Sequence, residues 1–140
     1  VNKIKNLYHI IKDFVFVSEM VSANPYLVQN KGGNMSFKIG NTIAITESGS
    51  SFSEINYFQG FGFYDMNRKP VFSGQKRPSM EIGSHLKLGT CVLHTHPLHT
   101  MAILCSEECY HILDKLFDDY ELIQYYPPGE SISNNISQLD

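Results

Sequence analysis

Two runs that alternate as strands, Met35 to Ile39 and Thr42 to Thr46, are separated only by Gly40-Asn41. Alternation puts every second side chain on one face of an extended chain, and a two-residue connection containing glycine signals an antiparallel hairpin. Upstream, Ile4, Leu7, Ile11, Phe14, Val17 and Val21 recur at three or four residues. That spacing predicts an amphipathic helix from about Asn2 to Met20, ended by Ser22-Ala23-Asn24-Pro25. A hairpin beside such a helix makes this a mixed α and β chain, a sheet flanked by helices.

The rest of the chain supplies further elements. Glu47 to Ser51 reads as a polar loop, with a short helical turn near Ser53 to Ile55. Phe61 to Tyr64 and Pro70 to Ser73 read as a second strand pair. Ser79 reads as the N-cap of a helix from Met80 to about Leu88. Cys91 to Leu93 has strand character, Leu98 to Leu104 reads as a helix, and Ser106 caps another that carries Ile112, Leu113, Leu116 and Phe117. Glu121 to Tyr125 is expected as a last strand before the turn Tyr126-Pro127-Pro128-Gly129. The polar tail from Glu130 to Asp140 could start a helix but has little apolar surface to hold it. No linker divides the chain, so residues 1–140 are expected to form a single domain.

An apolar share of 42 % with 18 % charged residues is globular rather than disordered. A net charge of −3 without a Lys/Arg cluster argues against nucleic acid as a partner. Three cysteines cannot all pair within one chain and suit a reducing, cytoplasmic setting. Cys105 and Cys109, four apart on one expected helix, read as small buried hydrophobes. Lys3, Lys5, Lys12 and Asp13 interrupt the N-terminal apolar residues, so no secretory signal is visible, and no apolar run is long enough to cross a membrane. The first residue is Val1, so the sequence need not begin where translation does.

The chemistry concentrates in Cys91-Val92-Leu93-His94-Thr95-His96-Pro97. On a strand, His94 and His96 point to one side and can share a ligand, and neutral imidazole is a favoured zinc ligand. Pro97 cannot donate to a ladder and ends the strand. The competing reading is two histidines on a half-exposed strand. Gly32-Gly33-Asn34 offers backbone N–H groups to an anion, Thr46, Ser48 and Gly49 add hydroxyl and amide donors, and Ser79 stands where a helix begins. Glu81, in the first turn of that helix, is placed to reach a metal held by the two histidines. Each has a bland counterpart: glycine turns, serine caps, and a carboxylate paired with a helix dipole.

Taken in order, Gly33-Asn34, Thr46-Glu47-Ser48-Gly49, Pro78-Ser79-Met80-Glu81 and His94-Thr95-His96-Pro97 resemble the class II aldolase/adducin family, over roughly residues 2 to 133. The resemblance implies an α/β fold, a three-layer αβα sandwich with a central, mainly antiparallel sheet. It implies that Gly33, Asn34, Ser48, Gly49 and Ser79 bind a substrate phosphate. Glu81 would be the acid/base carboxylate and a resting metal ligand, and His94 and His96 two zinc ligands. His85, one turn after Glu81, is taken as structural. Met80 stands where the family commonly has a small hydroxyl residue. The family's third zinc histidine lies beyond the turn that residues 127–131 resemble, and this sequence has no match for it; His99 and His111 do not match by position. The chain is therefore expected to be C-terminally short.

The activity so implied is a zinc-dependent, aldolase-type lyase, or an epimerase or dehydratase relative, acting on a phosphorylated sugar through a metal-stabilised enediolate. The alternative is a non-catalytic, adducin-like interaction module with a degenerate metal site. A hydrolase built on the His-x-His pair ranks last, lacking a further Asp/His cluster. The resemblance also implies a homotetramer with sites at subunit boundaries, Tyr125 and Tyr126 being candidate contact aromatics.

Overall fold

The computed structural model describes residues 2–136, with side chains described from residue 7 onward. The side chain of Ile4 and the end of the polar tail (137–140) lie outside the described residues. In chain order come helix α1 (Asn2–Ser22), strands β1 (Asn34–Ile39) and β2 (Thr42–Thr46), a 3-10 turn (Phe52–Glu54) and strand β3 (Phe61–Asp65). Helix α2 (Ile82–Lys87), strand β4 (Cys91–His94) and helices α3 (Leu98–Leu104), α4 (Cys109–Leu116) and α5 (Glu130–Ile136) follow. The four strands form one antiparallel sheet in the order β3-β2-β1-β4. In the hairpin turn Gly40 takes a left-handed φ of 56°, which a glycine at the first turn position adopts without a Cβ clash.

Alternation sorts the sheet into two faces. Met35, Phe37, Ala44, Phe61 and Phe63 meet Phe14, Val17 and Val21 of α1, with Phe52 and Ile55 closing that core. Phe14 is fully buried, and withdrawing a side chain of this size from water contributes about 2–3 kcal/mol. On the opposite face Ile43, Ile45 and Tyr64 pack against Ile82 and Leu86 of α2. Helices on both faces make the three-layer αβα sandwich.

Helix α5 meets α2 through small polar residues, while its half-buried Ile132 and Ile136 line an apolar recess with Leu88, Val92 and Leu93. Fully buried Ser133 shares a 3.0 Å hydrogen bond between its Oγ and that of Ser84, and its Oγ also donates to Gly129 O at 2.8 Å. A Cβ on Gly83 would lie 2.6 Å from Ser133 Oγ, so the glycine permits the approach. The Lys87 ammonium donates to Ser133 O at 2.7 Å, and Arg68 pairs with Glu130 at the rim.

Several local expectations need correction. Of Pro70 to Ser73, only Pro70 bridges to Tyr64 and only Val71 N–H reaches Phe63 O; Pro70 has no N–H to extend a ladder, and Phe72 is exposed. Glu121 to Tyr125 forms no strand, because no described strand pairs with it, and Tyr125 is 88 % exposed. The helix expected from Met80 starts at Ile82, with Glu81 at the N-cap position. Pairing of Ser79 N–H with Thr46 O and the Glu47–Pro78 bridge keep residues 78 and 79 extended. Cys105 and Cys109 fall on either side of a break between α3 and α4; Cys105 is exposed and Cys109 buried.

His85 is buried against the sheet, its Nδ1 2.8 Å from Ser36 Oγ. Burial pushes its imidazole down to about 4, against 6.5 in an open chain. Between pH 6.5 and 4 the unfolded chain therefore binds a proton that the folded chain refuses. Stability should fall as pH drops through that window, by up to about 3 kcal/mol. Urea unfolding at stepped pH checks this; His85→Asn, which keeps a polar partner for Ser36, should flatten that part of the curve.

Candidate active site

The β1–β4 register sets Asn34 directly opposite His94 at one end of the sheet. Both lie on the face covered by α2, so the N-cap carboxylate of that helix meets them. Glu81 Oε2 is 2.7 Å from His94 Nδ1 and accepts a hydrogen bond from Asn34 Nδ2 at 2.5 Å. Asn34 Nδ2 also lies 3.4 Å from His94 Nδ1. The His94 and His96 ring centroids are 4.8 Å apart, inclined at 58°. His96 is held by its backbone N–H on Leu27 O, 3.0 Å away.

The glycine turn before β1 exists for close approach. A Cβ on Gly33, where φ is 78°, would lie 2.5 Å from His94 O and 3.1 Å from the Phe52 ring. A Cβ on Gly32 would lie 2.8 Å from His96 Nδ1. Gly32 and Gly33 thus let the backbone pass against the histidine segment.

Gly33, Asn34, Ser48, Gly49, Ser79, Glu81, His94 and His96 all line one cleft of about 270 Å³. The donors differ in detail from the sequence expectation. Ser48 N–H is spent on Arg77 O and Ser79 N–H on Thr46 O, both at 2.9 Å, leaving the hydroxyls to face the cleft chemistry. Ser79 Oγ accepts from Glu81 N–H at 3.3 Å. Thr46 Oγ1 is occupied by the Met35 backbone, accepting from its N–H at 3.1 Å, so Thr46 holds the sheet end together. Buried Glu47 accepts from Lys76 N–H at 3.2 Å, with the Lys76 ammonium 3.9 Å away.

Lys31 was not among the sequence candidates, yet it is the one Lys or Arg lining the cleft among the described residues. Its place in the glycine turn, three residues before Asn34, was the available signal. Pro128 also reaches the lining, bringing the 126–129 turn to the cleft mouth.

The hydrogen bond with His94 holds the Glu81 carboxyl down at about 2, against the opposing pull of burial; the Asn34 donor lowers it further. The resting group is therefore an ionised acceptor. Burial and the neighbouring His94 push His96 down. Asn34 is 6 % exposed, and its Oδ1 is buried without a hydrogen-bond partner among the described residues. Such an orphan acceptor costs about 1–3 kcal/mol.

Two imidazoles and a carboxylate are donors of the kind zinc takes. Among the described residues, however, no group of three or more His, Cys, Asp or Glu side chains is arranged to hold a metal ion. His99 stacks on Tyr26 instead, 5.6 Å between centroids and 10° from parallel. These residues alone do not fit a three-ligand zinc centre.

The fold resembles the N-terminal class II aldolase domain of a conserved Thermoplasma acidophilum protein, with a TM-score of 0.80 and 21 % identity, over 91 % of this chain and 74 % of that one. It also resembles YgbL of Escherichia coli, with a TM-score of 0.74 and 17 % identity, over 94 % of this chain and 70 % of that one. L-fuculose 1-phosphate aldolase aligns with a TM-score of 0.59 and 24 % identity, over 69 % of this chain and 48 % of that one. No curated protein matches. Residues 18–139 match the family described as Class II Aldolase and Adducin N-terminal domain. The chain belongs to that family.

Gly33→Ala joins a positive φ to a backbone collision, so it should cost about 2 kcal/mol or more. Denaturant midpoints measure this. Gly40→Ala, with no atom within 4 Å of the new Cβ, separates the φ cost from the collision.

Proposed function

We propose that the domain carries the substrate cleft of an aldolase-type lyase, or an epimerase or dehydratase relative, acting on a phosphorylated sugar. The observation that supports this reading is a half-buried, hydrogen-bonded carboxylate, Glu81, facing the same cleft as the Gly33, Ser48, Gly49 and Ser79 donors. The loops would anchor the phosphate, with Lys31 adding charge at the rim, and anchoring converts binding into orientation of the reacting carbons. Glu81 would then move the proton, within a hydrogen bond of the substrate. A zinc ion at His94 and His96 would need a further ligand from outside the described residues.

The adducin-like, non-catalytic reading is favoured by that incomplete donor set. Self-association belongs to both readings. Leu98, Met101 and Leu104 of α3 and Leu116 and Phe117 at the end of α4 are exposed apolar residues, as is Tyr125, and β4 is an edge strand. A second copy covering them would suit a homo-oligomer. No described helix is long and apolar enough to cross a membrane.

Inorganic phosphate should shift the backbone amides of Gly33, Gly49 and Ser79 in an NMR titration. Ser48→Ala and Ser79→Ala should each weaken binding by roughly fivefold, the worth of one hydrogen bond. An unresponsive set of amides would sink the sugar-phosphate reading and leave the interaction module. Calorimetry with zinc should show weak binding or none for the 140-residue chain. Tight one-to-one binding abolished by His94→Ala would reverse that expectation.

A further inference from the structure

Every second residue of β1, those on the α2 face, holds that helix through a polar side chain. Asn34 Nδ2 donates to Glu81 at 2.5 Å, and Ser36 Oγ lies 2.8 Å from His85 Nδ1. The Lys38 ammonium donates to Leu86 O at 2.8 Å and also to Leu88 O. Residues 34, 36 and 38 share a face because side chains alternate along a strand, and Glu81, His85 and Leu88 align because a helix repeats every three or four residues. Lys38 thus takes carbonyl oxygens at the C-terminal end of the helix, where no intrahelical partner is available.

Helix α2 has six residues, too few to persist without tertiary contacts. Its apolar side, Ile82 and Leu86, rests on Ile43, Ile45 and Tyr64. Apolar burial is non-directional, so that seat chooses a face of the helix but holds it loosely along its own axis. Asn34 to Lys38 spans roughly 14 Å of strand and Glu81 to Leu88 roughly 10 Å of helix, so Lys38 acts at the opposite end from Glu81. Fastened to one strand at both ends, the helix has one axial position.

We propose that Lys38 is a positioning residue for Glu81: by holding the C-terminal carbonyls of α2 on β1, it fixes how far the carboxylate at the other end reaches toward His94. The inference rests on the reading of Glu81 as the carboxylate that moves the proton, and deepens it. Lys38 does not line the cleft and acts through the helix alone.

The His94 Nδ1 resonance tests this, read by nitrogen NMR on the full chain without added metal, at one pH, with every variant folded. Glu81→Gln is the reference and should move that signal, since the Glu81 carboxylate lies 2.7 Å from the nitrogen. Lys38→Met keeps an apolar stem and removes the ammonium, and is expected to displace the His94 signal in the direction of the reference. Lys38→Arg, a donor of similar reach, should restore the wild-type position. Val21→Ala, which loosens the core on the opposite face of the sheet, should leave the signal unmoved and so separates positioning from lost stability. An unmoved signal in Lys38→Met, with the reference displaced, overturns the inference and leaves the Glu81 reading standing. Equal displacement in Val21→Ala overturns it as well. An unmoved signal in Glu81→Gln overturns the Glu81–His94 pairing itself, and the inference with it. Should Lys38→Met fail to fold, Lys38→Gln, which keeps a donor but loses the reach, is read in the same way.

Discussion

The pairing of β1 with β4 is the constraint on which the site depends. It places Asn34 across from His94, and two residues further on it brings His96 against Gly32. Helix α2 then has one seat, with Ile82 and Leu86 on Ile43, Ile45 and Tyr64, and that seat aims Glu81 at the pair. A slip of one residue in the β1–β4 register would turn His94 to the α1 face and leave Glu81 without its partner. Sheet register and site geometry are thus one property.

The two sheet faces divide the labour. The α1 face is apolar, with Met35, Ala44 and Phe63 all buried among aromatic and aliphatic side chains. The α2 face grades from apolar at β2 and β3 to polar at β1, where buried Ser36 meets His85 and Asn34 meets Glu81. Buried polar groups must find partners, so this end of the face is specified by hydrogen bonds rather than by volume. The orphan Oδ1 of Asn34 marks where that specification is left incomplete.

What could be read in the sequence follows from how local each signal is. The Gly40-Asn41 hairpin and α1 were legible because turn chemistry and periodicity act over neighbouring residues. Pro70 to Ser73 and Glu121 to Tyr125 misled because β-propensity describes a side chain suited to a half-buried surface, and no such surface receives them. Helix α5 was undervalued because its fully buried contacts are Ser84, Gly83 and Ser133, and its only apolar pair, Ile132 and Ile136, is half-buried. Spacing and the family resemblance pointed to the eight cleft residues, but not to Lys31. Nor could they show that Asn34 reaches Glu81, since 47 residues separate them.

The small-residue contact between α2 and α5 has a consequence for how the molecule responds to temperature. Its fully buried members are hydroxyls and a glycine and its Ile132 and Ile136 are only half-buried, so its opening carries a smaller heat-capacity change than that of the α1 core. The α1 core, in contrast, gains and loses its hold with the curvature typical of hydrocarbon burial. Cooling that weakens the α1 face would affect the α2–α5 contact less, and the two would follow different thermal curves. Since Pro128 and Gly129 sit at the foot of α5, the mouth of the cleft is governed by the flatter of the two.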